Sequence, residues 1–198
     1  VQLGGNIGQS VLALSPAEEN TVYVLELSSY QIDLSPRFSP DIAVLLNLSP
    51  DHLDRHGSMK GYIQSKWQMF ENLQPGSTAI IGVDGSDETA LAESAETNDA
   101  IISVRISGQA EKTAKVFYQE GWLCDQEGPI VDLSSIATLQ GAHNGQNAAA
   151  AYVAALSAGA AKDDIIRAFA SFQGLAHRMQ PIGEISGEDG EVRFVNDS

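Results

Sequence analysis

The sequence predicts an α/β fold: a mostly parallel sheet flanked by helices, with a small antiparallel meander at one edge. Two observations carry the parallel part. Short β-branched apolar runs alternate with longer stretches of helical period, and the first two, TVYVLEL at 21–27 and DIAVLLNL at 41–48, end in polar residues as buried parallel strands do. A third observation carries the meander: from 115 to 133 the texture changes to brief alternating segments broken by Gly121, Gly128 and Pro129.

Each element follows in order. The run at 4–8, Gly-Gly-Asn-Ile-Gly, permits close approach of backbone to a ligand or makes a plain glycine turn. Strands at 21–27 and 41–48 are expected to be buried on both faces. A helix is expected over 58–72, a strand over 78–83, a helix over 88–96 and a strand over 101–106. After the meander come an alanine-rich helix over 144–158 and another over 162–172, closed by Gly174. Stretches 181–185 and 191–195 flank Ser-Gly-Glu-Asp-Gly and read as a hairpin. A domain boundary is expected near Gly174, giving domains 1–174 and 175–198.

Composition narrows the function. With 198 residues and 43% apolar content the chain can bury a core. A formal net charge of −15 disfavours nucleic acid and anionic membrane surfaces as partners, so any bound phosphate needs a local site. One cysteine, Cys124, excludes an internal disulfide framework and a thiolate metal cluster, which points to a reducing compartment, the cytoplasm. No apolar run is long enough to cross a bilayer and the first residues do not read as a signal peptide. A soluble monomer is expected.

Loops beyond the carboxyl ends of parallel strands carry ligands, which singles out Glu26, Ser28, Asn47 and the stretch from Asp51 to His56. Glu26 interrupts an apolar strand, so its carboxylate needs a cation: a metal, or a lysine or arginine elsewhere. His52 either faces a ligand or caps a helix, and Asp51 and Asp54 suit the turn before that helix. Lys66 falls within the helical stripe Met59, Tyr62, Ile63, Trp67 and Phe70 and so points inward. Such a lysine is paired, held neutral and nucleophilic, chemically modified, or snorkelling at the rim of the core. Asn144 and Asn147 stand in the first turn of the alanine-rich helix, where one can cap it or both can read the edge of a purine.

Taken together, the wording and order of these segments resemble the Mur ligase family over essentially the whole chain. The resemblance rests on the run at 4–8, Glu-Leu-Ser-Ser-Tyr-Gln at 26–31, Asn-Leu-Ser-Pro-Asp-His-Leu-Asp-Arg-His at 47–56 and Ser-Lys at 65–66. It continues with His-Asn-Gly-Gln-Asn at 143–147, Gly-Leu-Ala-His-Arg at 174–178 and Asn-Asp-Ser at 196–198. The form at 26–31 is most similar to the branch that adds D-glutamate to UDP-N-acetylmuramoyl-L-alanine.

The resemblance implies a nucleotide-binding central domain of the phosphate-loop type and a reaction in which ATP phosphorylates the substrate carboxylate before D-glutamate attacks. Such chemistry needs neutralisation of charge more than covalent help. By the same resemblance Glu26 holds one Mg²⁺, His52 helps to place a second, and Lys66 carries a CO₂-derived carbamate that serves magnesium. Asn6, Ser28 and His52 contact the nucleotide-sugar substrate; Asn144, Asn147, Arg178 and Asp197 serve ATP. The family's Gly-Lys-Ser/Thr loop does not occur in this sequence, so the span by itself is expected to show no ligase turnover and weak ATP affinity. The alternatives are another amino-acid ligase of the Mur or folylpolyglutamate type, and a non-catalytic nucleotide-sugar binding module in which Glu26, His52 and Lys66 make structural ion pairs.

Overall fold

The computed structural model describes residues 1–175, 180–187 and 190–196, and the chain divides into two compact units, Val1–Arg105 and Ile106–Ser198. The division falls inside a strand.

In the first unit β1 (Gln2–Gly5) runs parallel to β2 (Tyr23–Glu26), from Gln2 opposite Tyr23 to Gly5 opposite Glu26. These two strands form a sheet of their own, which corrects the expectation for 21–27: Tyr23, Val24 and Glu26 are exposed. A two-stranded ribbon has no layer on either face to bury it. The second expected strand is β3 (Ile42–Leu45), parallel to β4 (Thr78–Gly82). Ala43 and Leu45 are buried while Ile42 and Val44 are half-buried, so β3 covers one face rather than two. Every residue of β4 is buried. Ile80 and Ile81 have no exposed surface, and burial of this kind stabilises by about 1.5–3 kcal/mol per side chain. The other neighbour of β4 is β5 (Ile102–Ser107), entered through a bond from Ile102 N–H to the Ser77 carbonyl.

Helices fill the connections. α1 (Ser29–Asp33) and α2 (Leu53–His56) are short and were not anticipated as helices. α3 (Met59–Glu71) starts where Ser58, in extended backbone, accepts from the Gly61 amide, and it buries Tyr62, Ser65 and Phe70. Trp67 and Phe70 stack at 5.0 Å between ring centroids. α4 (Ser86–Glu96) carries Asp87 and Glu88 in its first turn, where the helix dipole favours negative charge.

In the second unit Ile106 and Ser107 of β5 pair in parallel with β6 (Val116–Gln119). β7 (Trp122–Asp125) and β8 (Gly128–Asp132) complete the antiparallel meander. Glu120 and Gly121 both have positive φ, 49° and 91°, which suits a tight turn between twisted strands. At the next turn the Asp125 carboxylate accepts from the amides of Glu127 and Gly128. α5 (Ala142–Ser157) is the alanine-rich helix, and its small side chains Ala148, Ala149 and Ala150 are buried. A Cβ on Gly145 would meet Tyr118 Cγ at 2.3 Å, so α5 approaches β6 as closely as a helix can. α6 (Lys162–Ser171) follows, and β9 (Gln180–Gly187) pairs antiparallel with β10 (Gly190–Asn196) as the expected hairpin. Among the described residues, no helix is long and apolar enough to cross a membrane.

Candidate active site

Glu26 ends β2, and its carbonyl accepts from the Asn6 amide at 2.8 Å. Gly5, with φ of +113°, lies against that carbonyl; an added Cβ would sit 2.1 Å from it. The glycine run therefore brings its own backbone onto the end of β2 and fixes Asn6 beside Glu26. The Glu26 carboxylate is exposed and, among the described residues, makes no hydrogen bond or ion pair. This corrects the expectation of a desolvated carboxylate in need of a partner: on an exposed ribbon it has little desolvation to offset.

Two residues later Ser28 turns the chain into α1 through a capping box. Its hydroxyl accepts from the Gln31 amide, and the Gln31 side chain accepts from the Ser28 amide at 3.0 Å. The cap fixes the register of Ser29, which is buried, and of Tyr30, which is half-buried. Tyr30 packs edge-on against the His52 ring, with centroids 4.8 Å apart.

His52 precedes α2 with φ 50° and ψ 33°, the left-handed region that favours glycine. Its carbonyl accepts from the amides of Arg55 and His56, its amide donates to Asp51, and its Nε2 lies 3.4 Å from the other Asp51 oxygen. Thus Asp51 holds the histidine rather than capping the helix, and the imidazole remains exposed. Arg55 pairs with Asp33 at 3.1 Å, tying α2 to α1.

Lys66 is half-buried on α3, and its Nζ lies 5.2 Å from the centroid of the Tyr62 ring. A contact of this kind contributes about 0.5–1 kcal/mol, too little to immobilise the amine. The buried side chain next to it on α3 is Ser65, outside the stripe, whose hydroxyl donates to the Ser29 carbonyl at 2.9 Å. Lys66 is therefore an inward-leaning lysine at the rim rather than one sealed in the core.

The structure thus places Asn6, Glu26, Ser28, His52 and Lys66 in one compact unit, with Asn6 bonded to Glu26, His52 against Tyr30 and Lys66 over Tyr62. Among the described residues, no side-chain hydrogen bond or ion pair joins Glu26, His52 and Lys66 to one another. Asn144 and Asn147 belong to the second unit. α5 begins at Ala142 behind Gly141, so neither asparagine caps it; Asn144 Nδ2 donates to the Gln140 carbonyl and Asn147 is exposed. Arg178 and Asp197, and His177 beside the former, lie outside the described residues.

Among the described residues, no group of three or more His, Cys, Asp or Glu side chains is disposed to hold a metal. Magnesium does not require such a cage, because it keeps several waters and takes one or two protein ligands together with phosphate oxygens. A free carboxylate at a strand end, with an exposed imidazole on a neighbouring loop, fits that sparse donor set. Sequence reasoning gave Ser29 and Tyr30 no role of their own, took Tyr62 only as part of the helical stripe and His56 only as the end of the stretch beyond β3; these four connect the expected residues. The Ser28…Gln31 spacing was a signal for α1 and hence for Tyr30.

A family model described as the Mur ligase middle domain matches residues 6–155. The UDP-N-acetylmuramoylalanine–D-glutamate ligase of Rhizobium johnstonii is 48% identical over all of this chain and 41% of its own length. That of Caulobacter vibrioides is 46% identical, over all of this chain and 42% of its own. The chain therefore spans about two fifths of the curated relatives it matches. Among solved structures, a UDP-N-acetylmuramoyl-L-alanyl-D-glutamate–2,6-diaminopimelate ligase is similar with a TM-score of 0.65 and 28% identity, over 83% of this chain and 35% of that one. MurF from Acinetobacter baumannii, at 21% identity and a TM-score of 0.67 over 89% of this chain and 38% of its own, shares the fold.

Proposed function

The chain belongs to the Mur ligase family, and on that premise we propose that the full-length protein is an ATP-dependent amide ligase adding D-glutamate to UDP-N-acetylmuramoyl-L-alanine through an acyl phosphate. In that reading residues 1–174 are the central nucleotide-binding domain and 175–198 begin the C-terminal ligase domain. The protein acts as a cytoplasmic monomer in the synthesis of peptidoglycan precursors. The observation that carries the reading is the attachment of both expected metal-site loops to one short helix: Glu26 leads through the Ser28 capping box into α1, and Tyr30 of α1 packs on His52.

Bound magnesium would neutralise charge on the transferring phosphoryl group. Glu26 offers a carboxylate whose oxygens no protein group occupies among the described residues. His52 offers an imidazole oriented by Asp51, and Lys66 offers an amine at the rim that CO₂ can reach when it is neutral. Asn6 and Ser28 flank Glu26 and would contact the nucleotide-sugar. Asn144, Asn147, Arg178 and Asp197 would serve ATP.

Phosphate release by the full-length enzyme tests this reading. Turnover should require both UDP-N-acetylmuramoyl-L-alanine and D-glutamate, and Glu26→Ala, His52→Ala and Lys66→Ala should each abolish it with folding intact. Turnover with a folate or a different amino acid instead would assign another ligase of the superfamily. Absence of turnover with any amino acid, in a folded full-length protein that still binds the nucleotide-sugar, would favour the binding-module alternative, and turnover indifferent to all three substitutions would overturn the assignment of these residues.

A further inference from the structure

The sequence marks His56 only as the last residue of the stretch beyond β3, with no role of its own, yet it joins the parts of the expected site. Its ring lies 5.8 Å from Tyr30 and 5.7 Å from Tyr62, centroid to centroid, tilted against both. Its Nε2 is hydrogen-bonded to Ser29 Oγ at 3.0 Å. Ser29 is 2% exposed, and its carbonyl accepts from Ser65, which immediately precedes Lys66. One imidazole at the end of α2 therefore touches α1 through Ser29 and Tyr30 and α3 through Tyr62.

The two outer contacts give this arrangement its meaning. Tyr30 meets His52 with its edge, and Tyr62 lies beneath the Lys66 amine. The rings run His52, Tyr30, His56, Tyr62, with Lys66 at the far end. His52 itself sits in a backbone conformation that an L-residue adopts at a cost, so its orientation depends on neighbours that hold it there. Side chains packed on two sides have few rotamers left, and a group that fixes two such rings at once fixes what rests on them.

We propose that His56 is a positioning residue that keeps His52 and Lys66 in mutual register for phosphoryl transfer, holding Tyr30 and Tyr62 through its ring and α1 through its bond to Ser29. The inference rests on the ligase reading above, since it supposes that His52 and Lys66 act on one substrate.

The test uses the full-length enzyme. His56→Ala is expected to lower kcat at least tenfold while KM for ATP stays within twofold, because the nucleotide's own contacts lie elsewhere. His56→Phe, which keeps a ring between the tyrosines but loses the Ser29 bond, should recover part of that loss. In protein labelled with ¹⁵N at histidine, the His52 ring signals should shift on His56→Ala without any ligand present, a change that general loss of stability would not produce. Should His56→Ala prevent folding, His56→Phe and Ser29→Ala carry the same readouts. Values of kcat within twofold of wild type, with His52 signals unmoved, overturn the proposal if His52→Ala is inactive in the same assay. If His52→Ala is itself active, the ligase reading of this site falls and the proposal with it.

Discussion

Replacing Glu88 with alanine probes how the loop that carries His52 is held. Glu88 lies in the first turn of α4, is 6% exposed, and accepts from the Leu48 amide at 2.5 Å. Leu48 stands just beyond β3 and leads into the stretch that ends at His52. Hydrogen bonds to charged groups contribute about 1.5–3 kcal/mol, and an amide left unpaired by truncation bears the full desolvation cost. Taking about 2 kcal/mol, the Leu48 amide should exchange with solvent deuterium about 30-fold faster in Glu88→Ala. Glu88→Gln keeps an acceptor and should show a smaller rise. Gly85→Ala supplies an independent route to the same effect, since its new Cβ would lie 2.2 Å from Glu88 Oε2 and displace the carboxylate from Leu48. Exchange at Leu48 within threefold of wild type in Glu88→Ala would show that the loop is held by something else.

Three further outcomes follow from the geometry. Gly145→Ala forces a methyl group into the Tyr118 ring and should destabilise by about 1–3 kcal/mol, read from the denaturant midpoint, with Tyr118→Ala in the same chain cancelling part of the loss. The Arg105 guanidinium bonds both oxygens of Glu96, at 2.7 and 2.6 Å, and holds its carboxyl below the usual value. A depressed carboxyl contributes stability above its unfolded pKa and loses it as pH falls through the folded one, so wild type should exceed Glu96→Gln near neutrality and match it in acid. Burial, and then the neighbouring Asp125, push the Cys124 thiol up, so iodoacetamide at pH 8 should modify it more slowly than a cysteine in an unstructured peptide, and Asp125→Asn should narrow the gap.

The extent of the helices was legible because their signals are local. Ser58 before a helical stripe marked α3, and Gly121 and Gly128 marked the turns of the meander. Period alone could not tell which strands had layers on both sides: TVYVLEL reads as apolar as β4, but its partner is a single strand, and only tertiary pairing decides that. The same limit applied to Glu26 and Lys66. Their types and positions were legible, whereas their exposure was not, because it depends on what packs nearby. α1 and α2 escaped notice because each spans little more than a turn, too short for a periodic pattern to emerge. What His56 does within the stretch that ends at it was illegible for a different reason: its neighbours Ser29, Tyr30 and Tyr62 come from other elements.

The twisted backbone at His52 also shapes how its side chain can be interrogated. Left-handed geometry costs an ordinary residue about 1–2 kcal/mol relative to glycine, so His52→Ala deletes the imidazole while keeping that penalty, and His52→Gly deletes both. The stability gap between the two replacements isolates the conformational toll, and the deficit they share in turnover isolates the ring. A chain that keeps histidine where glycine would rest more easily forgoes some robustness at this corner, and the paired replacements measure how much.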